Sequence, residues 1–276
     1  MSTTELQHRP VRSDRRRLTS ASRVVTLASV YAFLYIPIII LILFSFNNSR
    51  LNATWMGFTT SWYGTLPDHP SMLNAAEISI AVTLGQTVIS TVLGTMGGIA
   101  LHRYKFPGKR MFVYFLYIPI VIPEVVLAVA LLLFFNQVSF PLGVVAMMVG
   151  HTTFTIPFVV LVVRAAMSGF DNSLEEAARD LGATEWQTLW KVTIPIILPG
   201  IIVGALLSFS QSFDDFTTSF FVDGMGNDPL PVYIYGLMRH GVSPVVNALA
   251  AIILAVTLVF ALLGERMQRV GKLARR

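Results

Sequence analysis

An all-α membrane protein with six transmembrane helices and one polar, helical cytoplasmic loop is the fold class this sequence predicts. Three observations carry that reading. Of 276 residues, 54% are hydrophobic and 13% charged, with a mean hydropathy of +0.66; soluble domains carry about 25% charged residues. Six apolar runs each reach the ~20 residues that a helix rising 1.5 Å per residue needs to cross a bilayer. Lysine and arginine are segregated, 18 on one set of loops against only Arg50 and Arg239 on the other.

The first run, Val24–Phe46, follows a basic segment, 1–23, that holds Arg9, Arg12, Arg15, Arg16, Arg17 and Arg23. Its apolar part is too long for a signal peptide and no small-residue cleavage pattern follows, so it reads as an uncleaved first helix. The other runs are Ile78–Leu101, Met111–Phe135, Leu142–Val163, Ile196–Val222 and Val245–Leu263. Residues 24–264 therefore form one membrane domain, followed by a basic tail, 265–276. By the positive-inside rule both termini and the loops His102–Arg110 and Arg164–Pro195 face the cytoplasm. Topology alone accounts for the net charge of +5, which removes the argument for nucleic-acid binding. The absence of cysteine excludes disulfides and Cys-ligated metals.

Between the runs, the loop Asn47–Asn74 carries Trp55, Trp62 and Tyr63, expected as interfacial anchors. The segment LPVYIYGLM, 230–238, is too short to span and reads as an interfacial or re-entrant helix. Gly94 with Gly98, and Gly200 with Gly204, form G-x-x-x-G pairs that mark close helix contacts. Pro37, Pro119, Pro123 and Pro157 are expected to bend their helices. His151, a lone histidine in the fourth run, is expected to hydrogen-bond between helices.

The loop 164–195 contains two short helices by its capping signals. Ser173 with Glu176 has capping-box spacing and Gly182 suits the C′ position that closes the first helix. Thr184 with Gln187 is a second capping box, and Pro195 begins the return to the membrane. Trp186, Leu189, Trp190 and Thr193 fall on one face of the second helix. A helix-turn-helix reader of DNA is excluded by its tether between two spans. A docking element gripped by a partner is the sharper reading, with a purely capping role for Glu176 as the plain one.

Residues 176–195 resemble the EAA motif of ABC-importer permeases: Glu-Ala-Ala, three residues, Gly, nine residues, Ile, one residue, Leu-Pro. Glu176, Ala177, Ala178, Gly182 and Pro195 stand in register, with Val192 and Ile194 as replacements. The stretches YIPIIILILFSFNNSR, GFDNSLEEAARDLGA, LSFSQSFDDF and GVSPVVNALA resemble the spermidine/putrescine (PotC-like) branch of that family. The resemblance implies the type I ABC-importer permease fold, with the motif forming coupling helices in a cleft of a cytoplasmic ATPase. It implies a PotB-like second permease, a PotA-like ATPase dimer and a PotD-like external solute-binding protein as partners, with a polyamine as substrate. Small side chains at the alanines and Gly182 suit close approach by such a partner.

The chain has no G-x-x-x-x-G-K-[ST] phosphate loop: Gly108-Lys109 and Gly271-Lys272 lack the upstream glycine and the following hydroxyl. It is therefore expected not to be an enzyme, to hold no cofactor or metal, and to rely on Mg-ATP bound by the partner ATPase.

Acids within the membrane are costly and point to a pathway. Glu124 lies ~20 Å and Asp214 ~27 Å up their helices by the helical rise, with Asp215 beside it. With Glu77, Asp68, Asp223 and Asp228 they put seven acids in the outer half against two bases, a net charge of −5 that attracts cations. Adjacent helical residues point ~100° apart, so Asp214 and Asp215 are not expected to share one pathway. Glu124 either contacts that pathway or accepts donors freed by the Pro123 bend. The rival readings are an ion-coupled secondary transporter, a channel subunit, and an ABC permease for a different small solute.

Overall fold

The computed structural model describes residues 20–49, 54–239 and 244–273, with side chains placed from 24 to 266 within them. Residues 1–19, Arg50, Arg275 and Arg276 lie outside the described residues, as do the side chains of Arg23, Arg269 and Lys272. The chain divides into two compact units, 1–43 and 44–276.

The first unit holds all but the last residue of α1 (Ser20–Phe44), whose stretch from Val24 onward carries no charged residue. A helix apolar on every side belongs in lipid or in a bundle core. Tyr31 and Tyr35, one turn apart, stack at 6.1 Å.

In the second unit, α2 (Ser61–Thr65) and a 3-10 turn, Leu66–Asp68, lead into α3 (Pro70–Arg103). Then come α4 (Lys109–Val121), α5 (Glu124–Gln137), α6 (Val144–Met167), α7 (Ser173–Asp180) and α8 (Glu185–Thr188). A π turn at Leu189–Thr193 joins α8 to α9 (Ile194–Phe213), followed by α10 (Thr217–Val222), α11 (Leu230–Arg239) and α12 (Pro244–Leu273). The only β feature among the described residues is an isolated bridge between Asn47 and Phe58. Helices α1, α3, α6, α8–α9 and α12 are each long and apolar enough to span, and the bent pair α4–α5 passes the same test jointly. This is a six-span all-α membrane fold.

Helices α3, α6 and α9 pack on one another at the centre. The glycine pairs make this possible: a Cβ on Gly94 would stand 2.5 Å from the Val159 Cβ, and one on Gly98 2.8 Å from that of Val163. On α9, a Cβ at Gly200 would meet Ala166 at 2.5 Å. Both G-x-x-x-G faces are thus contact faces against α6. Between them lies a polar knot. Fully buried Gln86 donates to the Ser208 carbonyl at 3.0 Å, and its own Oε1 accepts from Ser90, Thr155 and Ser208 hydroxyls at 3.1–3.2 Å. In an apolar interior each such donor must find a partner inside the protein.

Two expected spans are broken. Met111–Phe135 is not one helix, because the chain turns by 107° between α4 and α5. Pro123 pushes Ile122 out of helical geometry, to φ −70° and ψ 135°, as a proline does to its predecessor. Ile196–Val222 is likewise not continuous: α9 ends at Phe213 and α10 begins at Thr217. The stretch 230–238 is helical, within α11. Trp62 and Tyr63 have partners inside the protein: the Trp62 indole donates to the Asn47 carbonyl at 2.8 Å and the Tyr63 hydroxyl meets Ser45 at 2.7 Å.

Candidate functional site

The segment between α6 and α9 is built from its caps. Asp171, one residue before the Asn172 N-cap of α7, accepts the Ser173 N–H at 3.0 Å, and the Ser173 N–H and hydroxyl hold its carboxylate below the usual range. The expected Ser173–Glu176 box does not form, because Ser173 is already a helical residue and Asp171 reaches the free donor first. The helix ends in a Schellman pair, Gly182 N–H to the Arg179 carbonyl at 2.9 Å and Ala183 N–H to the Ala178 carbonyl at 3.0 Å. Gly182 has φ +87°, the left-handed region that glycine enters without strain, with open space around its Cα. Turn geometry, and not packing within this chain, demands the glycine. The Thr184–Gln187 capping box is complete, at 3.3 and 3.0 Å.

Beyond that box the second short helix is not separate. It runs through the π turn into α9, so Pro195 lies inside a continuous helix and does not open a new one. The turn also splits the expected face: Trp186 and Trp190 stay exposed, edge to face at 5.9 Å, while Thr193 is buried. Thr193 turns toward Glu175, the acid before the motif, which is 5% exposed. The Thr193 hydroxyl donates to Glu175 Oε1 at 2.5 Å. Arg103, the last residue of α3, ion-pairs with the same carboxylate and donates to Thr193 at 2.8 Å. Glu176, Ala177, Gly182 and Pro195 are exposed, and Ala178 is half-buried. Glu176 lines a cavity of about 560 Å³ with Arg103, Arg179, Glu185 and Trp186. Ala178 and Gly182 line a second, of about 340 Å³, with Leu181, Gln187 and Lys191.

The acids within the membrane come together elsewhere. Glu124, Asp214 and Asp215 line one cavity of about 560 Å³, with Phe154, Phe158 and Phe216 among its walls. Two helix breaks make it: Glu124 opens α5 just after the Ile122–Pro123 break, and both aspartates occupy the gap between α9 and α10. The expectation that Asp214 and Asp215 diverge by 100° fails because neither is within a helix. Glu124 does not stand midway up a straight helix, as its spacing suggested, but at a helix start, where a carboxylate is favoured. Its carboxyl neighbours the Asp215 and Thr217 side chains.

The two aspartates differ. Asp214 is exposed, whereas Asp215 is 5% exposed and caps α10, taking the Ser219 N–H at 2.9 Å and its hydroxyl at 3.2 Å. His151 bridges helices as expected, with Nε2 3.0 Å from Asp215 Oδ2 and Nδ1 2.7 Å from the Ser212 hydroxyl. Among the described residues no group of three or more His, Asp and Glu is placed to hold a metal ion. Just after α10, burial and nearby Asp228 push Asp223 up to about 6.

Residues 90–270 match the binding-protein-dependent transport system inner membrane component family. The chain belongs to that family. It is a multi-pass inner-membrane permease component, and its relatives are transport proteins. It is 41% identical over 243 residues to the spermidine/putrescine transport system permease protein PotC of Escherichia coli K12, covering 88% of this chain and 92% of that one. The putrescine transport system permease protein PotI of the same strain is 36% identical over 239 residues, covering 84% and 85%. In fold it is similar to a bacterial ABC transporter for import of the acidic polysaccharide alginate (TM-score 0.68, 20% identity, 93% and 99% covered). It is also similar to the MetNI methionine ABC transporter (TM-score 0.58, 20% identity, 78% and 99% covered). Those neighbours place the permease in the type I ABC-importer fold.

In this permease, sequence reasoning missed the contact of Arg103, at the end of α3, with Glu175 and Thr193 of the loop. The available signal was the doubled acid Glu175-Glu176 on a helix of eight residues, where one acid faces the bundle and its neighbour does not.

Proposed function

We propose that this permease is the polyamine-conducting subunit of an ATP-driven importer, with its α7–α8 segment cytoplasmic and docked on a separate ATPase. One observation carries the substrate class: Glu124, Asp214 and Asp215 share a cavity with three phenylalanines between two helix breaks. A polyamine is a string of ammonium groups joined by methylenes. Carboxylates neutralise the former, and aromatic faces accept both, with cation–π contacts of about 0.5–2 kcal/mol. The similarity to PotC and PotI supports the same class. Irregular backbone inside a membrane is tolerated where it lines a cavity, which fits a pathway at the two breaks.

On the cytoplasmic side the exposed Glu176, Ala177 and Gly182, with half-buried Ala178, form the surface offered to a PotA-like ATPase dimer. Mg-ATP is held there and not in this chain. A PotB-like permease completes the pathway, and a PotD-like binding protein delivers the substrate from outside. The basic residues of the termini and of the two intervening loops set that orientation.

The test is purification of the chain with its genomic neighbours and reconstitution into liposomes. The expected result is a co-purifying ATPase and spermidine or putrescine uptake that needs both ATP and the binding protein. Uptake by the chain alone, without ATP, contradicts the proposal.

A further inference from the structure

His151 has no place on the cavity wall, yet it is buried and its ring is held at both nitrogens. Nε2 lies 3.0 Å from Asp215 Oδ2 and 3.0 Å from the Ser219 hydroxyl. A carboxylate only accepts hydrogen bonds, so Nε2 carries the proton. Nδ1 lies 2.7 Å from the Ser212 hydroxyl. The residues so joined belong to three pieces of chain: His151 on α6, Ser212 at the end of α9 and Ser219 on α10.

The carboxylate itself is divided in use. Oδ2 receives His151, the Ser219 N–H and the Ser219 hydroxyl. Oδ1 accepts the Thr218 N–H, at 3.4 Å, and the Glu124 side chain neighbours the same carboxylate. One oxygen is thus consumed in holding the α9–α10 gap, while the carboxylate as a whole lies beside Glu124 and Asp214 on the cavity wall. Without His151, the Asp215 carboxylate would keep its contacts to α10 and lose its link to α6.

We propose that His151 is a positioning residue for cation passage: it fixes the Asp215 carboxylate, and with it the α9–α10 gap, in the geometry that admits an organic cation. This rests on the cavity's reading as a polyamine pathway. His151 itself touches no substrate.

The experiment uses the reconstituted complex with spermidine-loaded binding protein and reads spermidine molecules imported per ATP hydrolysed. That ratio is insensitive to how much complex assembles, so a merely structural role would not move it. H151L is expected to lower it about tenfold, and H151Q, which keeps a donor within reach of Asp215, to recover at least half of the wild-type value. S212A, which removes the Nδ1 partner, is expected to lower it two- to threefold, and it carries the test where H151L does not assemble. A wild-type ratio in H151L or in S212A overturns the proposal, as does a loss in H151Q equal to that in H151L. Failure of the wild-type complex to import any polyamine overturns the substrate reading and this proposal together, so the two failures are read on different proteins.

Discussion

Arg103, at the end of α3, and Glu175, on α7, form an ion pair that ties the α7–α8 segment to the core of the bundle. Glu175 is buried, Arg103 is partly covered, and the Thr193 hydroxyl bonds both, so the contact joins α3, α7 and the entry to α9. A force applied to α7 therefore reaches two central helices through side chains as well as through the backbone.

Breaking a buried pair by removing one partner costs about 3–5 kcal/mol. E175A is expected at the low end, because Arg103 retains some solvent, and R103A at a similar value. A double-mutant cycle on thermal unfolding of the purified protein measures the coupling. Additive losses from the two single variants would show that the pair holds nothing.

Gly182 presents a contrast between backbone and bulk. A β-branched residue at φ +87° is strained by about 1–3 kcal/mol, whereas asparagine tolerates the left-handed region. G182V is expected to insert normally and lose ATP-driven uptake, and G182N to retain a larger share. Equal uptake in the two variants would remove the turn from the mechanism.

Helix packing at Gly94 is testable by compensation. G94A places a methyl 2.5 Å from the Val159 Cβ, and overpacking of this kind costs about 1–3 kcal/mol. Thermal unfolding is expected to drop for G94A and to recover in part for G94A/V159A, since the second change removes the atoms in the way. A double variant less stable than G94A alone would contradict the packing.

Asp223 gives a pH dependence with a definite sign. Burial and Asp228 raise its folded value to about 6, above the unfolded carboxylate range. The folded state then holds a proton that the unfolded state releases, so this contribution is fully present below about pH 4 and is lost as pH rises through about 6. The unfolding midpoint of the wild type, followed between pH 4 and 7, is expected to carry a falling component that D223N lacks. Identical profiles for both proteins would count against it.

How much of this was legible in the sequence follows from what each signal measures. Hydropathy locates the spans, and the glycine spacing locates the α3–α6 and α6–α9 contacts, because both depend on residues close in sequence. The same apolar count runs straight through Ile122–Pro123 and through Asp214–Phe216, where the backbone turns, since a window of apolar residues carries no dihedral information. The cavity followed from those two breaks and so stayed hidden, although its acids stood out by their cost in lipid. Glu175 and Glu176 differ only in which way a short helix rolls, and Arg103, 72 residues upstream of Glu175, decides that roll.

The central claim, that an organic cation crosses by way of this acidic cavity, is tested most directly at Asp214, an exposed acid on its wall. In the reconstituted complex, ATP-driven spermidine uptake by D214N is compared with wild type at saturating loaded binding protein. The account predicts a loss of about tenfold, the equivalent of ~1.4 kcal/mol in the barrier, and a deeper loss in D214N/E124Q. Uptake by the double variant at the wild-type rate would contradict it.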